Sequence, residues 1–430
     1  MTGLARAGKT AFLTSAAANL LAASRGVPVL PALARRLEGR SFRVSLAPSG
    51  AGEVPRFDHP AHLAALAADP PRWPDRTQAV SLLALDLQIG RGGLANALPP
   101  RRIRLELLDY PGEWLLDLPM LGQGFSEWSA AALRRLEAPQ CAAIARDFLA
   151  FAHGLPARAP ADDALAATGH ALFRTALNRL RDEVGLSFLQ PGRFLMPAPG
   201  PQPPWIAFFP MTGAGPLADL LAARFDAYRQ AVTRDLDRPL FGRLDRLVVL
   251  ADVLAGLHAG KPAFDDMAAS LAAVAAALRW RPAWMQALPI PWWLLPGGIS
   301  RVAFAASKAD HVADRQRGNL AALVRALTEL PPAATATADA FAIAAIRCTE
   351  DFVWTLDGRN VSAVRGRVLG DAAMTRSYPG EVPDRPPDDA FWAHPFLALP
   401  NFEPMHLPPG GGVSHINLDT LLTFLLDDVL

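Results

Sequence analysis

The sequence predicts an α/β fold, in which helices cover a sheet of mainly parallel strands. A glycine-rich loop, Gly3–Thr10, stands directly before a segment with helical spacing, Thr10–Leu21. Two apolar runs, Leu247–Asp252 and Val302–Ala306, have the length and composition of strands buried on both faces. The helical segment Ala263–Trp280 separates these runs, and such alternation is typical of a parallel sheet.

The glycine-rich loop has the spacing G-x-x-x-x-G-K-[ST] of a phosphate-binding loop. Gly3 and Gly8 permit backbone angles that turn successive amides towards the oxygens of a triphosphate. Lys9 would place its ammonium between the β- and γ-phosphates, and the Thr10 hydroxyl would bind the Mg²⁺ that bridges them. The following helix adds its N-terminal dipole to the same anion site. The other residues expected to contact the nucleotide are Arg6, Ala7 and Ala11.

A phosphate-binding loop normally follows a buried strand, and the residues printed ahead of Gly3 are Met1 and Thr2. We expect no strand to fit there. Either the natural start lies upstream, or the sheet lacks its first strand. A missing first strand weakens the prediction that the protein is active on nucleotides more than the prediction that it descends from proteins with a phosphate-binding loop.

The composition limits the class of protein. With 430 residues and 51% hydrophobic content, the chain can form two or three domains, or one domain with long insertions. Its formal net charge of +1 gives no reason to expect a nucleic-acid partner or an acidic substrate. Cys141 and Cys348 are far apart, so we expect a reducing, cytoplasmic environment and no disulfide scaffold.

The most hydrophobic region, Leu271–Ile299, contains the adjacent Trp292 and Trp293. Arg279, Arg281 and four prolines interrupt it, so we expect no membrane-spanning helix. A buried helix followed by a surface loop is the simpler interpretation. The alternative is that the two tryptophans contact a membrane surface or a partner protein.

A second candidate site follows an expected hairpin, Val80–Ile89 and Ile103–Leu108. Asp109 ends the second strand, and Gly112 follows it with D-x-x-G spacing. An acidic residue at a strand tip can hold Mg²⁺ through water, and the glycine amide can contact the γ-phosphate. Thr77, just before the first strand, is the residue expected to complete the Mg²⁺ shell.

The stretch from 115 to 240 differs in kind from the segments around it. Helical spacing of apolar residues predicts a mostly helical insertion before the sheet resumes at Leu247. The predicted helical segments are Ala130–Glu137, Cys141–His153, Leu165–Val184 and Leu217–Leu236.

The second buried run ends in Ser307-Lys308-Ala309-Asp310, which is similar to the [NT]-K-x-D motif of GTP-binding proteins. In that motif the Asp carboxylate accepts hydrogen bonds from N1 and N2 of guanine, and the Lys stem packs along the base. Adenine offers the opposite hydrogen-bonding pattern, so the Asp discriminates between the two bases. Ser307 departs from the usual Asn or Thr but keeps a hydroxyl. A last predicted strand, Phe341–Ile346, leads to Arg347–Thr349, where a guanine-contacting loop would fall.

With these motifs the chain resembles the YcjX-like family, bacterial stress-associated P-loop proteins with Ras-like GTPase motifs. The most specific matching string is Asp109–Met120. The resemblance implies a protein that binds and hydrolyses GTP, with a stress-linked role and an unknown client. It gives the phosphate-loop roles to Gly3, Gly8, Lys9 and Thr10, and the switch roles to Asp109 and Gly112. Other matching strings are Asp69–Trp73, Gln190–Phe194, Lys308–Val312 and Tyr378–Pro383.

One residue departs from the Ras-like pattern in a way that affects mechanism. Ras-like enzymes place a Gln directly after D-x-x-G to orient the attacking water, and this chain has Glu113 there. A carboxylate could accept a proton from water, but an ionised one would repel the γ-phosphate. We therefore expect slow turnover, with Glu113 or a partner residue ordering the water, and with Lys9 and Gly112 as the other catalytic residues.

Together these features predict an α/β P-loop NTPase sheet of the Ras-like GTPase type with a large helical insertion and a C-terminal extension. The expected ligands are Mg²⁺ and GTP or GDP, and the expected partners are an unknown client protein and a peripheral membrane or membrane protein. An ATPase on the same fold and a nucleotide-gated or degenerate scaffold without turnover are the alternatives. The expected divisions are 1–114 and 241–350 as the two halves of the nucleotide-binding domain, 115–240 as the insertion, and 351–430 as a hairpin, a strap rich in Pro and Gly, and a helix.

Overall fold

The computed structural model describes residues 1–4, 7–48, 54–74, 80–92, 98–156, 158–197, 200–235, 244–279, 299–330, 337–356, 358–371, 373–394 and 396–430. The chain divides into two compact units. The first unit comprises Met1–Pro111, Arg246–Gly260 and Arg301–Leu430. The second comprises Gly112–Asp245 and Lys261–Ser300.

The helices and strands of the described residues follow in chain order. The strands are β1 (Thr2–Gly3), β2 (Phe42–Leu46), β3 (Ser81–Ile89), β4 (Arg101–Asp109), β5 (Arg246–Ala251), β6 (Arg301–Ala306), β7 (Ala338–Ala342), β8 (Thr349–Leu356), β9 (Arg359–Arg367) and β10 (Met374–Ser377). The α-helices are α1 (Lys9–Ala23), α2 (Pro31–Leu37), α3 (His59–Leu66), α4 (Phe125–Leu136), α5 (Pro139–His153), α6 (Asp163–Arg179), α7 (Gly192–Leu195), α8 (Pro216–Asp235), α9 (Val253–Ala259), α10 (Lys261–Arg279), α11 (Asp314–Leu327) and α12 (Leu418–Leu426). A 3-10 helix covers Gly112–Gly122.

The first unit is built on a parallel sheet with the strand order β1-β5-β6-β7. A second sheet, β2-β3-β4, is antiparallel. Met1, which precedes β1, connects the two sheets through backbone hydrogen bonds to the end of β4. The Met1 nitrogen donates to the Leu108 carbonyl at 2.7 Å, and the Met1 carbonyl accepts from the Tyr110 amide at 3.1 Å. These two bonds have the slanted pattern of parallel pairing. The end of β4 therefore lies beside β1, at the same edge of the sheet.

The expectation that no strand precedes the phosphate loop is wrong. Thr2 and Gly3 form a short strand that pairs in parallel with Val249 and Leu250 of β5. A Cβ at Gly3 would lie 2.5 Å from the Leu250 carbonyl oxygen, so this close approach requires glycine. A two-residue strand is too short to produce a periodic pattern, and its pairing with a strand almost 250 residues later is set by tertiary structure.

Helix α1 lies inside the core of the first unit. Its alanines and leucines are apolar on every side, as expected of a helix that is surrounded by protein. Leu13, Ala16, Ala17 and Leu20 are fully buried in the same apolar cluster as the β5 residue Leu250. The C-terminal helix α12 contributes Leu418, Leu421 and Leu422 to this cluster. The phosphate loop is thus attached to a strand and a helix that are both buried.

A third sheet, of antiparallel strands in the order β10-β9-β8, belongs to the C-terminal extension. β8 and β9 form the hairpin expected within residues 351–430, with Leu356 opposite Arg359. Asp357 itself lies outside the described residues. The segment after β10 crosses back to this sheet, where Phe402 is buried and bridges to Val368.

The second unit is a helical body with an aromatic core. Trp128, Phe173, Phe208 and Phe225 are among its fully buried side chains, and the Trp128 ring stacks on Phe225 at a centroid distance of 5.1 Å. Such pairs add to the free energy of burying the ring surfaces. None of the helices in the described ranges is long and apolar enough to cross a membrane. Trp292 and Trp293 lie outside the described residues.

Helix α10 belongs to the second unit, whereas the sequence analysis assigned it to the nucleotide-binding half. Its buried Asp266 explains this position. The carboxylate accepts the backbone amides of Ser187 at 2.6 Å and Phe188 at 2.8 Å, and it pairs with Arg135 at 2.6 Å. A buried carboxylate requires such partners, so Asp266 fixes α10 to the helical body.

Candidate functional site

The phosphate-binding loop connects β1 to α1. Gly8 has a φ of 82°, in the left-handed region that side chains disfavour, so this position requires glycine because of its backbone angle. Ala7 is buried in the core, and Ala11 is the third residue of α1. Arg6 lies outside the described residues.

Lys9 and Thr10 are the first two residues of α1, and each is 9% exposed. The Lys9 ammonium donates to the carbonyls of Gly3 at 3.1 Å and Leu4 at 3.4 Å, so its side chain folds over the loop. The helix dipole of the 15-residue α1 adds a partial positive charge at this end. The loop therefore combines a fixed ammonium, a helix N-terminus and a hydroxyl, which together suit the phosphates of a nucleotide.

The carboxylate of Asp109 stands at the end of β4 and is 1% exposed. Because β4 lies beside β1, Asp109 and the phosphate loop follow neighbouring strands at one edge of the sheet, where α/β proteins bind ligands. The Asp109 carboxylate and the Thr10 hydroxyl are oxygen ligands of the kind that Mg²⁺ prefers.

A Mg²⁺ ion at this edge would also need ligands from elsewhere. In the described part of the chain, no group of three or more His, Cys, Asp or Glu side chains could hold a metal. Phosphate oxygens and water are the usual further ligands of nucleotide-bound Mg²⁺. Thr77, the other predicted ligand, lies outside the described residues.

The predicted specificity motif follows β6, two strands from β1 in the same parallel sheet. The Ser307 amide and hydroxyl both donate to the Ala251 carbonyl, at 2.9 Å and 3.3 Å, so Ser307 is tied to the end of β5. Lys308 has a φ of 59°, which is uncommon for a residue with a side chain. Its ammonium lies 2.5 Å from the carboxylate of Asp252, which also caps α9 by accepting the Ala255 amide.

Asp310 is 1% exposed and is held by the loop that follows β7. Its carboxylate accepts the backbone amide of Cys348 at 2.8 Å, and its carbonyl accepts the Thr349 hydroxyl. Burial and the nearby Asp310 carboxylate raise the pKa of the Cys348 thiol well above its usual range, so the thiol stays protonated. A guanine-contacting loop at Arg347–Thr349 was predicted from chain order alone. The structure brings Cys348, at the end of the loop after β7, and Thr349, the first residue of β8, against Asp310.

Gly112 and Glu113 begin the second unit. They are the first residues of the 3-10 helix Gly112–Gly122, in which Gly112 is buried and Glu113 is partly exposed. The D-x-x-G string therefore crosses the point in the sequence where one unit ends and the other begins.

Asp252 and Gly192 were not among the predicted site residues. Asp252 could have been included, since it ends the predicted run Leu247–Asp252, as Asp109 ends its own strand. Gly192 was part of the family resemblance alone. Nothing in its local pattern indicates the backbone contact with Glu113 that the structure contains.

The fold and the loop define an α/β P-loop protein of the Ras-like type. A parallel sheet carries the phosphate loop after β1 and the specificity motif after β6, while a helical body follows the D-x-x-G string. The predicted fold class is thereby confirmed.

The chain belongs to the YcjX-like family, DUF463, whose sequence model matches residues 1–430. It is 33% identical over 449 residues to a protein of Escherichia coli K12 named Ras-like GTPase YcjX, covering 100% of this chain and 95% of that protein. It is 31% identical over 464 residues to a protein of the same name from Shewanella oneidensis MR-1, covering 100% of this chain and 94% of that protein. The family resemblance inferred from the motifs is confirmed.

Proposed function

We propose that this protein binds guanine nucleotides with Mg²⁺ and hydrolyses GTP slowly. The observation that carries the proposal is the buried Asp310 carboxylate, which is held by the Cys348 amide. Asp310 follows β6 of the parallel sheet in which β1 leads into the phosphate loop. The names of the two relatives, each a Ras-like GTPase, add independent support.

In this proposal Gly3, Arg6, Ala7, Gly8 and Ala11 line the phosphates. Lys9 neutralises the β- and γ-phosphates with the ammonium that donates to the Gly3 and Leu4 carbonyls in this structure. Thr10 would bind Mg²⁺ directly, Asp109 would hold it through water, and Thr77 would complete its shell. When bound, Mg²⁺ neutralises the charge that develops on the phosphate oxygens during transfer.

Base selection in this proposal depends on Asp310. A carboxylate has about four acceptor sites, so Asp310 can accept N1–H and N2–H of guanine while it keeps the Cys348 amide. Adenine would present an acceptor at N1, which leaves the buried carboxylate without its partner. Lys308 packs along the base, with its ammonium directed by Asp252, and Ser307 anchors the loop.

Glu113 and Gly112 carry the hydrolytic part of the proposal, on the basis of their position after Asp109 in the sequence. The Gly112 amide would contact the γ-phosphate, and Glu113 would order the attacking water. Glu113 also favours the second candidate function, a nucleotide-gated scaffold without turnover, because its charge would oppose the γ-phosphate. The stress-linked role, the client, a membrane partner and the cytoplasmic location remain predictions.

Calorimetric titration of GDP, GTP and ATP with Mg²⁺ tests the binding part, with Asp310→Asn as the diagnostic variant. We expect the wild type to prefer GTP to ATP, and Asp310→Asn to lose about 100-fold or more in GDP affinity, because two charge-assisted hydrogen bonds are lost. The variant should also gain affinity for xanthosine diphosphate, which replaces the N2 donor with a carbonyl. Asp384→Asn, at an exposed position, is the matched control. Equal affinity of the wild type for ATP and GTP would contradict guanine selection.

Turnover is tested on the same protein by phosphate release from GTP. We expect a slow rate that falls further in Glu113→Ala. Guanine-selective binding without any phosphate release would favour the scaffold.

A further inference from the structure

The residues after the D-x-x-G string are held by several segments of the second unit, among them the segment around α7 and helix α8. The 3-10 helix Gly112–Gly122 packs against Gln190–Met196, which contains α7. The Trp114 indole donates to the Met196 carbonyl at 2.7 Å, and the Gln190 amide donates to the Leu116 carbonyl. Both bonds use a side chain to fix a backbone group, so they set how the two segments lie along each other.

The closest approach between these segments is at Gly192. A Cβ added there would lie 1.7 Å from the carbonyl oxygen of Glu113, 2.5 Å from its carbonyl carbon and 3.2 Å from the Trp114 nitrogen. The Gly192 backbone angle is outside the left-handed region, so lack of space alone requires glycine. The backbone of Glu113 is therefore in direct contact with the backbone of Gly192.

A buried carboxylate holds Gly192 in that position. Asp117, at 0% exposed, accepts the Gly192 amide at 2.7 Å with one oxygen and the Tyr228 hydroxyl of α8 at 2.6 Å with the other. The Arg193 guanidinium lies 3.8 Å from the same carboxylate and 5.0 Å from the centre of the Trp114 ring. A buried charge with this number of partners resists rearrangement, because moving any partner leaves it less compensated.

We propose that Gly192 is a positioning residue for Glu113, with Asp117 and Tyr228 fixing Gly192. This inference rests on the proposed function, because it gives a support to the residue assigned to order the attacking water. The contact holds the peptide group of Glu113 in one place, so it fixes the point from which the carboxylate side chain extends. Displacing that peptide group by about 1 Å would then cost up to about 100-fold in the hydrolytic step.

The diagnostic variant is Gly192→Ala, and its matched control is Gly122→Ala. Both replace a glycine of these packed segments with alanine, but a Cβ at 122 would meet no atom of the described residues within 4 Å. We expect Gly192→Ala to lower single-turnover GTP hydrolysis by about 10- to 100-fold, with the GTP dissociation constant changed less than about threefold. We expect the hydrolysis rate to change more than the GTP affinity because the phosphate loop and Asp310, which are proposed to bind the nucleotide, belong to the first unit. The control should retain the wild-type rate.

A second variant covers the case in which Gly192→Ala does not fold. Tyr228→Phe keeps the buried ring but removes the hydroxyl that Asp117 accepts, and we expect a rate about 3- to 10-fold lower with unchanged GTP affinity. A folded Gly192→Ala with the wild-type rate would overturn the inference. Equal losses of hydrolysis rate in Gly192→Ala and Gly122→Ala would also overturn it. If Gly192→Ala does not fold, a wild-type rate in Tyr228→Phe would overturn it instead.

Hydrogen exchange separates this inference from the function on which it rests. We expect faster amide exchange over residues 112–118 in Gly192→Ala, or in Tyr228→Phe if the former does not fold, and unchanged exchange in Gly122→Ala. If the wild type hydrolyses no GTP, the proposed turnover fails, and the exchange result alone decides whether Gly192 positions Glu113. Unchanged exchange in the folded diagnostic variant would refute the positioning role whatever the rate.

Discussion

Two glycine-dependent segments, the phosphate loop and the 3-10 helix Gly112–Gly122, are held in place by different physical means. Gly8 in the loop is required by a left-handed backbone angle, and the loop is attached to a buried strand and a buried helix. Gly192, against the 3-10 helix, is required by space, and a network around the buried Asp117 holds it. The first requirement is local and can be recognised from sequence spacing. The second depends on two segments almost 80 residues apart.

A change of charge in the loop should affect nucleotide affinity more than stability. Lys9→Ala should reduce GTP affinity by about 100-fold or more, because the motif directs this ammonium at the phosphates. The melting temperature should change little, since the bonds of the ammonium to the described residues go to the Gly3 and Leu4 carbonyls of the loop. Calorimetry and thermal unfolding measure the two quantities. Lys261→Ala, at an exposed helical position, is the control, and equal loss of affinity in both variants would contradict the assignment.

The two kinds of glycine should differ in their effect on folding. Gly192→Ala places a Cβ against a backbone carbonyl, so we expect a loss of about 2–4 kcal/mol in the free energy of unfolding. Gly8→Ala meets no described atom within 4 Å and should cost about 1 kcal/mol, from the positive φ alone. Urea unfolding monitored by tryptophan fluorescence measures both. The opposite order of the two losses would show that the close approach relaxes easily.

The buried Asp117 makes the second unit sensitive to pH. Burial raises its pKa to about 6, whereas an unfolded aspartate titrates near 4. Between these values the folded state binds a proton that the unfolded state has lost, so the contribution of Asp117 to stability falls as pH rises from about 4 to about 6. The expected loss in the free energy of unfolding over this pH range is about 2–3 kcal/mol.

Asp117→Asn has no carboxylate to titrate at this position, so it removes the pH dependence that Asp117 contributes. The test compares the free energies of unfolding of the wild type and the variant at several pH values. The free energy of unfolding of the wild type should fall relative to that of Asp117→Asn as pH rises from 4 to 6, and the difference should then level off. Asp182→Asn, at an exposed carboxylate of the same unit, should follow the wild type. A difference that does not change with pH would show that Asp117 ionises normally.

The smallest expected effect concerns the contact that holds Asp310. Cys348→Ala removes the thiol but keeps the backbone amide that Asp310 accepts, so we expect about a threefold loss in GDP affinity. Cys348→Ser, which keeps a donor, should lose less. Cys141→Ala, in the core of the second unit, is the control for nucleotide affinity. A loss as large as that of Asp310→Asn would mean that the thiol, and not the amide, fixes the carboxylate.

The strand predictions were close where a buried run is long. β5 and β6 each begin one residue before the predicted run. β6 ends at the predicted residue, whereas β5 ends at Ala251, one residue before the predicted Asp252. β7 is different, because it covers Ala338–Ala342 whereas the apolar run is Phe341–Ile346. Pairing with β6 selects the earlier residues, and Asp339 is accommodated by its ion pair with Arg325. Residues 343 and 344 are buried after the strand ends, so hydrophobicity alone could not locate the strand.

The sequence was sufficient to predict the phosphate loop, the acidic strand end at Asp109, the Ser307–Asp310 motif and the family. These features depend on residues within a few positions of one another, so spacing records them. The tertiary structure was needed to show that Thr2 and Gly3 form a strand, that Cys348 and Asp252 contact the predicted specificity motif, and that α10 belongs to the helical unit. Each of these outcomes depends on contacts between residues distant in the chain, whose free energies exist only once strands pair and helices pack. Gly192 belongs with them, because the space that it must leave empty is created by another segment.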